Sequence, residues 1–214
     1  MPALRAGAEE ASEPDKNERP KSARLFFALW PTPAMQTALA VAAAAAVLEV
    51  QNGAAAGGAV SAAGVKPVPA ANFHLTLAFL GSVPVSRLGE IEQVAAGFVQ
   101  ALRLSELPIE IVLDAIEHWR KAQVLVATAS ETPAVAVTLA EGLQRTLVDA
   151  GFSPDLKPFR VHATVARKVR RVARELHLES VRWSFDSLHL VESETHPEGS
   201  AYRTVKKWVL DKRD

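Results

Sequence analysis

Cysteine is absent from this chain of 214 residues, and its 24 lysines and arginines balance its 24 aspartates and glutamates. The lack of cysteine excludes disulfides, cysteine-ligated zinc sites and thiol nucleophiles, and it fits a reducing compartment, so we expect a cytoplasmic protein. The balanced charge disfavours a general nucleic-acid coat protein, because attraction to a polyanion must then come from a local patch. No heptad repeat is present, and we expect a monomer.

Long apolar runs are also scarce. The longest, residues 38–48, is too short to span a bilayer and is rich in alanine, the best helix former. It predicts a buried or half-buried helix, with a membrane anchor as the alternative. Residues 1–23 mix Glu, Lys, Arg and Pro without an apolar core. They exclude a secretory signal and predict a disordered tail ahead of one domain, residues 24–214.

Apolar periodicity and turn residues predict an order of elements in which the second half repeats the first. The predicted strands are 25–30, 72–80, 108–116, 122–129, 159–167, 181–191 and 201–210, and the predicted helices are 34–50, 86–104 and 133–150. An Ala/Gly loop is expected at 53–64. This order predicts an α+β fold of two pseudo-symmetric lobes, each an antiparallel sheet with helices, around a central cleft.

One five-residue pattern occurs twice, as His74-Leu75-Thr76-Leu77-Ala78 and as His162-Ala163-Thr164-Val165-Ala166. Each copy lies in an apolar run of strand length. Alternation places the histidine and the threonine of each copy on the same face of its strand. The duplication therefore predicts two imidazoles and two hydroxyls that meet across the cleft. The other four histidines lack a threonine two residues on, and we expect structural or surface roles for them.

Two histidines are suited to phosphodiester cleavage. An imidazole titrates near neutrality, so one member of a pair can accept a proton while the other donates one to the leaving oxygen. The hydroxyls of Thr76 and Thr164 can donate to the phosphate oxygens, although threonine is also simply a good strand former. Two satisfied strand histidines are the corresponding structural interpretation of His74 and His162.

The second motif lies in the most basic stretch of the chain. Residues 157–174 contain no acidic side chain and carry seven cations, Lys157, Arg160, Arg167, Lys168, Arg170, Arg171 and Arg174. Arg160 has the same alternation parity as His162, whereas Arg167 has the opposite parity and reaches the cleft only if the strand ends or twists. We expect both to contact phosphate. For residues 168–174, a solvated face and a phosphate-binding surface are equally good interpretations.

The two motif segments, HLTLAFLG from His74 and PFRVHATVAR from Pro158, resemble the paired His-x-Thr-x motifs of the two-histidine phosphoesterases. Within that superfamily they are most similar to the bacterial RNA 2′,3′-cyclic phosphodiesterases, also called 2′-5′ RNA ligases. The segment RLFFALWP from Arg24 looks like the first strand of that family. The resemblance covers residues 24–210.

The resemblance implies a bilobal fold, no metal or other cofactor, and hydrolysis of a terminal 2′,3′-cyclic phosphate to a 2′-phosphate. His74 matches the family's proton donor to the leaving 3′-oxygen, and His162 the proton acceptor that activates water. The residues that match phosphate or nucleotide contacts are Thr76, Thr164, Arg167 and Phe79. By alternation alone, Phe79 is at least as well explained as a core residue. The implied partner is RNA with a cyclic phosphate end or a cyclic nucleotide, without a membrane.

Two other functions compete with a metal-free enzyme. A metallohydrolase needs about three protein ligands, and neither motif has a carboxylate or second histidine at ligand spacing. A non-catalytic module that binds RNA or nucleotides needs only the cleft, the threonines and the arginines. Weak 2′-5′ ligation is a further hypothesis, because a 5′-hydroxyl can take the place of the attacking water.

Overall fold

The computed structural model of the protein describes residues 22–56, 64–104, 107–172, 175–196 and 199–210. Its strands are β1 (Ser22–Leu29), β2 (Lys66–Pro67), β3 (Leu75–Pro84), β4 (Ile109–Leu113), β5 (Ala115–Trp119), β6 (Val124–Thr128), β7 (His162–Arg167), β8 (Val181–Phe185), β9 (Ser187–His196) and β10 (Gly199–Val209). Its helices are α1 (Pro33–Ala56), α2 (Leu88–Ala101) and α3 (Ala134–Asp149). Short 3-10 turns precede β3 and α2.

Two four-stranded antiparallel sheets form the two lobes. The first sheet has the order β10-β9-β1-β3, and the second has the order β2-β7-β6-β5. A two-stranded sheet of β4 and β8 completes the fold. The two repeated motifs therefore lie on strands of different sheets, β3 and β7, which confirms the predicted α+β architecture of two lobes.

The helices cross between the lobes. Helix α1 follows β1 of the first sheet but packs against β7 and β8, whereas α3 connects β6 to β7 in the second sheet but packs against β3 and α2. One large core, which includes Leu39, Leu75, Leu139 and Trp183, extends through both halves. Because each half covers the other's sheet with its helix, the lobes hold their motif strands in a fixed relation.

Helix α1 includes the apolar run singled out in the sequence. Pro33–Asn52 is long and apolar enough to cross a membrane by length and composition, and 33% of its most apolar stretch is buried within the protein. Leu39, Ala43, Ala46 and Val50 recur at helical spacing and are at most 4% exposed. The structure thus supports the partly buried helix predicted from this run.

The boundaries of several elements differ from those predicted. Strand β1 takes in Ser22 and Ala23, which the sequence assigned to the tail, and the rest of that tail lies outside the described residues. Helix α1 continues through 53–56, the start of the predicted loop, because a helix rich in alanine tolerates one glycine. The predicted strands 108–116 and 181–191 are each divided in two, at Asp114 and Asp186.

Candidate active site

A cleft of about 450 Å³ opens between the two sheets. One wall carries His74, Thr76 and Phe79, and the other carries His162, Thr164 and Arg167. The remaining lining residues are Arg24, Phe26, Val68, Asn72, Ser193, Thr195, Ser200 and Tyr202. The structure therefore brings both histidines and both threonines of the repeated motif into one cavity, as the duplication predicts.

A β-bulge in β3 reverses the alternation within the first motif. Thr76 pairs with Ala28 and Ala78 pairs with Phe27, so Leu77 is an extra residue without a partner in β1. A bulge moves the following residues to the opposite face of the strand. Simple alternation places Phe79 beside the core residue Leu75, but the bulge turns it into the cleft.

The second motif has a bulge at the equivalent position. Thr164 pairs with Val126 and Ala166 pairs with Leu125, which leaves Val165 as the extra residue. Arg167, whose parity opposes that of His162, consequently lies in the cleft. Both motif strands thus present the histidine, the second residue after it and the fifth residue after it on one face.

Each bulge is held by a hydrogen bond to the carbonyl of its extra residue. The buried side chain of Gln144, on α3, donates from Nε2 to the Leu77 carbonyl at 2.8 Å. The backbone N–H of Val68 donates to the Val165 carbonyl at 2.9 Å. Since buried carbonyls require partners, these two bonds stabilise the irregular backbone that aims Phe79 and Arg167.

His74 lies in an aromatic enclosure directly before β3. Trp30 stacks on its imidazole with 5.1 Å between ring centroids and 3° between planes, while Phe26 and Tyr202 pack at 4.9 Å and 5.1 Å. His74 Nδ1 is 2.8 Å from the carbonyl oxygen of Asn72. A carbonyl only accepts, so Nδ1 carries the proton and Nε2 is left for chemistry in the cleft.

Asn72 itself is fixed from two sides. Its side-chain amide donates to the Ser200 carbonyl of β10 at 2.9 Å. The buried Gln36 of α1 donates to the carbonyls of Ala71 and Phe73, at 3.1 Å and 3.2 Å. The carbonyl that orients His74 is therefore part of a backbone segment secured by both strand β10 and helix α1.

His162, the first residue of β7, repeats this arrangement. Its Nδ1 is 2.8 Å from the carbonyl oxygen of Arg160, again two residues earlier, and so its Nε2 is also left unprotonated in the neutral ring. Trp119 packs on the imidazole with 4.6 Å between centroids. The two halves of the cleft thus present chemically equivalent imidazole nitrogens.

Burial lowers the pKa of both histidines. For His74, removal from water dominates, and the charges of His162 and Arg167 act in the same direction, so its pKa falls to about 4 although the Asn72 carbonyl opposes the shift. Burial also lowers the pKa of His162, and the charge of Arg160 adds to the effect. Both rings are therefore mainly neutral at pH 7 in the free protein.

Comparison with known proteins identifies the family. The model of the family described as LigT like Phosphoesterase matches residues 42–123. The RNA 2′,3′-cyclic phosphodiesterase of Thermus thermophilus is 30% identical over 155 residues, which cover 69% of this chain and 76% of that protein. The chain belongs to the LigT-like phosphoesterase family. The Escherichia coli protein of the same name is 26% identical over 147 residues, covering 68% of this chain and 80% of that protein.

Solved LigT-like structures share the fold. A structure of E. coli LigT complexed with 3′-AMP has a TM-score of 0.69 at 22% identity, covering 88% of this chain and 98% of that chain. The structure of TT0787 from Thermus thermophilus has a TM-score of 0.64 at 28% identity, covering 87% of this chain and 97% of that chain. The two-lobed architecture with antiparallel sheets is thus that of the LigT-like fold.

Among the residues singled out by the sequence, Arg160 lies elsewhere than predicted. Its guanidinium does not line the cleft but forms an ion pair with Glu117 at 2.5 Å and lies 5.5 Å from the centroid of the Trp119 ring. Glu117 also accepts hydrogen bonds from Trp119 and Thr128. The ion pair with Glu117 of β5 therefore holds the Arg160 side chain outside the cleft lining. Arg160 supports His162 through its backbone carbonyl.

Sequence reasoning missed several residues of this LigT-like cleft. Arg24 of β1 lies 4.9 Å from the centroid of the Phe79 ring and supplies a second guanidinium. The aromatic enclosure of His74 was missed as well. Alternation along β1 was the available signal, because Arg24, Phe26 and Trp30 have the same parity. Nothing local to β9 or β10 marks Ser193, Thr195, Ser200 or Tyr202.

The four remaining histidines lie outside the cleft lining, in agreement with their expected roles. His118 bonds the Val169 carbonyl at 2.8 Å, His189 lies within the first sheet, and His177 and His196 are exposed. Within the described ranges, no group of three or more His, Cys, Asp or Glu side chains is placed to hold a metal ion.

Proposed function

We propose that this protein hydrolyses the 2′,3′-cyclic phosphate at the end of an RNA strand to a 2′-phosphate, without a metal ion or cofactor. The observation that carries the proposal is the equivalence of His74 and His162. Each imidazole binds a backbone carbonyl through Nδ1 and leaves Nε2 for one cleft, from opposite walls. In-line displacement at phosphorus requires one proton acceptor and one proton donor on opposite sides of the reacting phosphate.

In the proposed reaction, His162 Nε2 takes a proton from water as the water oxygen bonds to phosphorus. The bond between phosphorus and the 3′-oxygen breaks, and His74 Nε2 gives its proton to that oxygen. The product carries a 2′-phosphate and a free 3′-hydroxyl. His162 ends the step protonated and His74 ends it neutral, and exchange with solvent restores both.

Substrate binding supplies the charge that protonates His74. A phosphodiester anion about 4 Å from the imidazole attracts the imidazolium by about 4 kcal/mol at an effective dielectric constant of about 20. That energy corresponds to about three pH units, so the bound phosphate raises the pKa of His74 well above its value of about 4 in the free protein. His74 therefore becomes an acid only when the phosphate is bound.

The other cleft residues hold the substrate. The hydroxyls of Thr76 and Thr164 donate to the non-bridging phosphate oxygens, and Arg167 neutralises their charge. Phe79 contacts the nucleotide at the edge of the cleft. Family membership supports this assignment, because the 30% identical relative is named an RNA 2′,3′-cyclic phosphodiesterase. We also propose that the protein acts as a monomer in the cytoplasm.

The same site allows weak 2′-5′ ligation. A 5′-hydroxyl of a second RNA end can attack the cyclic phosphate in place of water, and the bond to the 3′-oxygen breaks as before. Hydrolysis dominates because water is far more concentrated. Incubation with two RNA fragments held on a complementary strand should give a low yield of joined RNA. Complete absence of that product would exclude ligation as an activity of this protein.

The proposal is tested with an RNA oligonucleotide that ends in a 2′,3′-cyclic phosphate, incubated with protein treated with a chelator. The wild type should produce the 2′-phosphate alone. His74→Ala and His162→Ala should each lower kcat by about 100- to 10,000-fold. His177→Ala is the matched control, since this histidine is exposed and outside the cleft. Binding of RNA without any product would instead identify a binding module.

A further inference from the structure

Five exposed cations form a patch beside the cleft, here called the basic rim. Its members come from the turn after β5 and from the segment after β7: Arg120, Lys121, Lys168, Arg170 and Arg171. Among the residues that the structure describes, none of the five forms an ion pair. The neighbouring segments 118–124 and 164–172 contain no acidic residue. The patch is therefore a concentrated positive surface on a chain without net charge.

The two segments of the rim are held together by backbone contacts. The N–H of Val169 donates to the Gln123 carbonyl at 2.9 Å, and the Val169 carbonyl accepts from His118 at 2.8 Å. The Val169 side chain is fully buried. Gln123 and Lys168 both have positive φ, 53° and 59°, a costly conformation for residues with side chains. The contacts thus fix a backbone arrangement that gathers the cations.

The basic rim is continuous with the cleft through Arg167. Arg167 is the last residue of β7, pairs with Val124 at the end of the β5–β6 turn, and lines the cleft. The nearby carboxylate on this side, Glu117, is already paired with Arg160. On the opposite wall, Glu192 of β9 pairs with Arg203 of β10, and Glu194 lies 3.4 Å from His196.

We infer that the basic rim binds the backbone phosphates of the RNA strand that precedes the cyclic end. This inference rests on the proposed function. A cleft of about 450 Å³ matches one small ligand, so the rest of an RNA strand lies outside it. A strand that ends in a cyclic phosphate continues only through the 5′-oxygen of its last ribose, and the electrostatic field directs that continuation past Arg167 onto the rim.

The test compares a cyclic mononucleotide, adenosine 2′,3′-cyclic phosphate, with a ten-nucleotide RNA that has the same cyclic end. The double variant Arg170→Gln/Arg171→Gln should raise KM for the oligonucleotide by about three- to tenfold and leave the mononucleotide kinetics unchanged. It should also reduce the slope of log(kcat/KM) against log salt by about 1.4, at about 0.7 for each lost contact with a single strand.

The matched control is Arg103→Gln/Arg182→Gln, which removes the same charge from exposed positions outside the rim. It should change neither the substrate preference nor the salt slope. An equal effect of the rim variant on both substrates, or an equal effect of the control on the oligonucleotide, would overturn the inference.

A binding measurement separates this inference from the proposed function. The Kd for a fluorescent ten-nucleotide RNA should rise in the rim variant by the same factor, whether or not the protein turns the RNA over. If no cyclic substrate is hydrolysed but the rim variant still weakens RNA binding, the proposed function is wrong and the inference about the basic rim is supported. If Kd is unchanged in the rim variant, the inference is wrong whatever the activity.

Discussion

The pH dependence of turnover should differ between the free protein and its complex with substrate. In the free protein, burial holds the pKa of His74 at about 4 and also lowers that of His162. Catalysis needs His74 protonated and His162 neutral. The quantity kcat/KM reports the ionisation of the free protein, so it should follow a bell whose maximum lies below pH 6.5, the ordinary value for histidine.

The pH profile of kcat reports the ionisation of the enzyme–substrate complex, and its alkaline limb should be displaced to higher pH. The bound phosphate raises the pKa of His74 by about three pH units, because two opposite charges about 4 Å apart attract by about 4 kcal/mol. The alkaline limb of kcat should therefore lie at higher pH than the alkaline limb of kcat/KM, which is set by the lowered pKa values of the free protein. Between the two limbs, raising the pH should lower kcat/KM about tenfold per unit and leave kcat nearly constant.

The assay is initial-rate kinetics from about pH 4 to about pH 9 at constant ionic strength, with the titration of His74 in the free protein followed by NMR. A flat profile of kcat/KM between about pH 5 and 9 would refute the two-histidine mechanism. Coincident alkaline limbs for kcat and kcat/KM would refute the claim that substrate charge protonates His74.

The lowered pKa values of His74 and His189 also predict how the stability of the protein depends on pH. In the unfolded chain His74 and His189 bind protons near pH 6.5, whereas the folded protein holds the pKa of each at about 4. Between these values the unfolded state binds more protons, so the free energy of unfolding should decrease as the pH falls from 6.5 to about 4. A urea titration that finds stability constant over this window would contradict the lowered pKa values.

Three substitutions test the bulge, the cleft arginine and the aromatic enclosure. Gln144→Met leaves the buried Leu77 carbonyl unpaired, so it should cost about 1–3 kcal/mol in urea unfolding and raise KM by disturbing the bulge; unchanged stability and KM would contradict this role. Arg167→Gln should lower kcat/KM by about 10- to 150-fold, from the loss of about 1.5–3 kcal/mol of phosphate binding. It should also raise the pKa of His74, because it removes a nearby positive charge. An unchanged NMR titration of His74 would contradict that coupling. Trp30→Ala should raise the pKa of His74 because water replaces the stacked ring, and a titration still centred near pH 4 would show that this stacking is not what excludes water.

The sequence predicted the two lobes and the pairing of the motifs because both depend on simple periodicity. Helical and strand patterns recur in the two halves, and a histidine two residues before a threonine shares its face at any position in a regular strand. The order of the sheets and the crossing of α1 and α3 between lobes are set by long-range packing, which no local pattern records.

The positions of Phe79 and Arg167 illustrate why alternation fails at the fifth residue after each motif histidine. A bulge is created by pairing with the neighbouring strand and is held here by groups distant in sequence. Gln144 lies 67 residues from Leu77, and Val68 contacts the Val165 carbonyl from the other half of the chain. Without those partners, each motif reads as a regular strand.

For Arg160, alternation predicts the correct face of the strand but the wrong contact, because the side chain does not line the cleft. Its parity correctly marks the face of His162, but parity does not reveal a competing carboxylate. Glu117, 43 residues away, lies close enough on β5 to bind the guanidinium. Charge capture between distant segments likewise cannot be predicted from the spacing of residues within one strand.

The division of labour between the two histidines is tested most directly by changing the leaving group. In an RNA whose cyclic phosphate has sulfur in place of the 3′-oxygen, the leaving thiolate departs without a proton donor. We predict that this substrate restores much of the turnover of His74→Ala and leaves His162→Ala inactive. Restoration of both variants, or of His162→Ala alone, would contradict the assignment of His74 as the acid and His162 as the base.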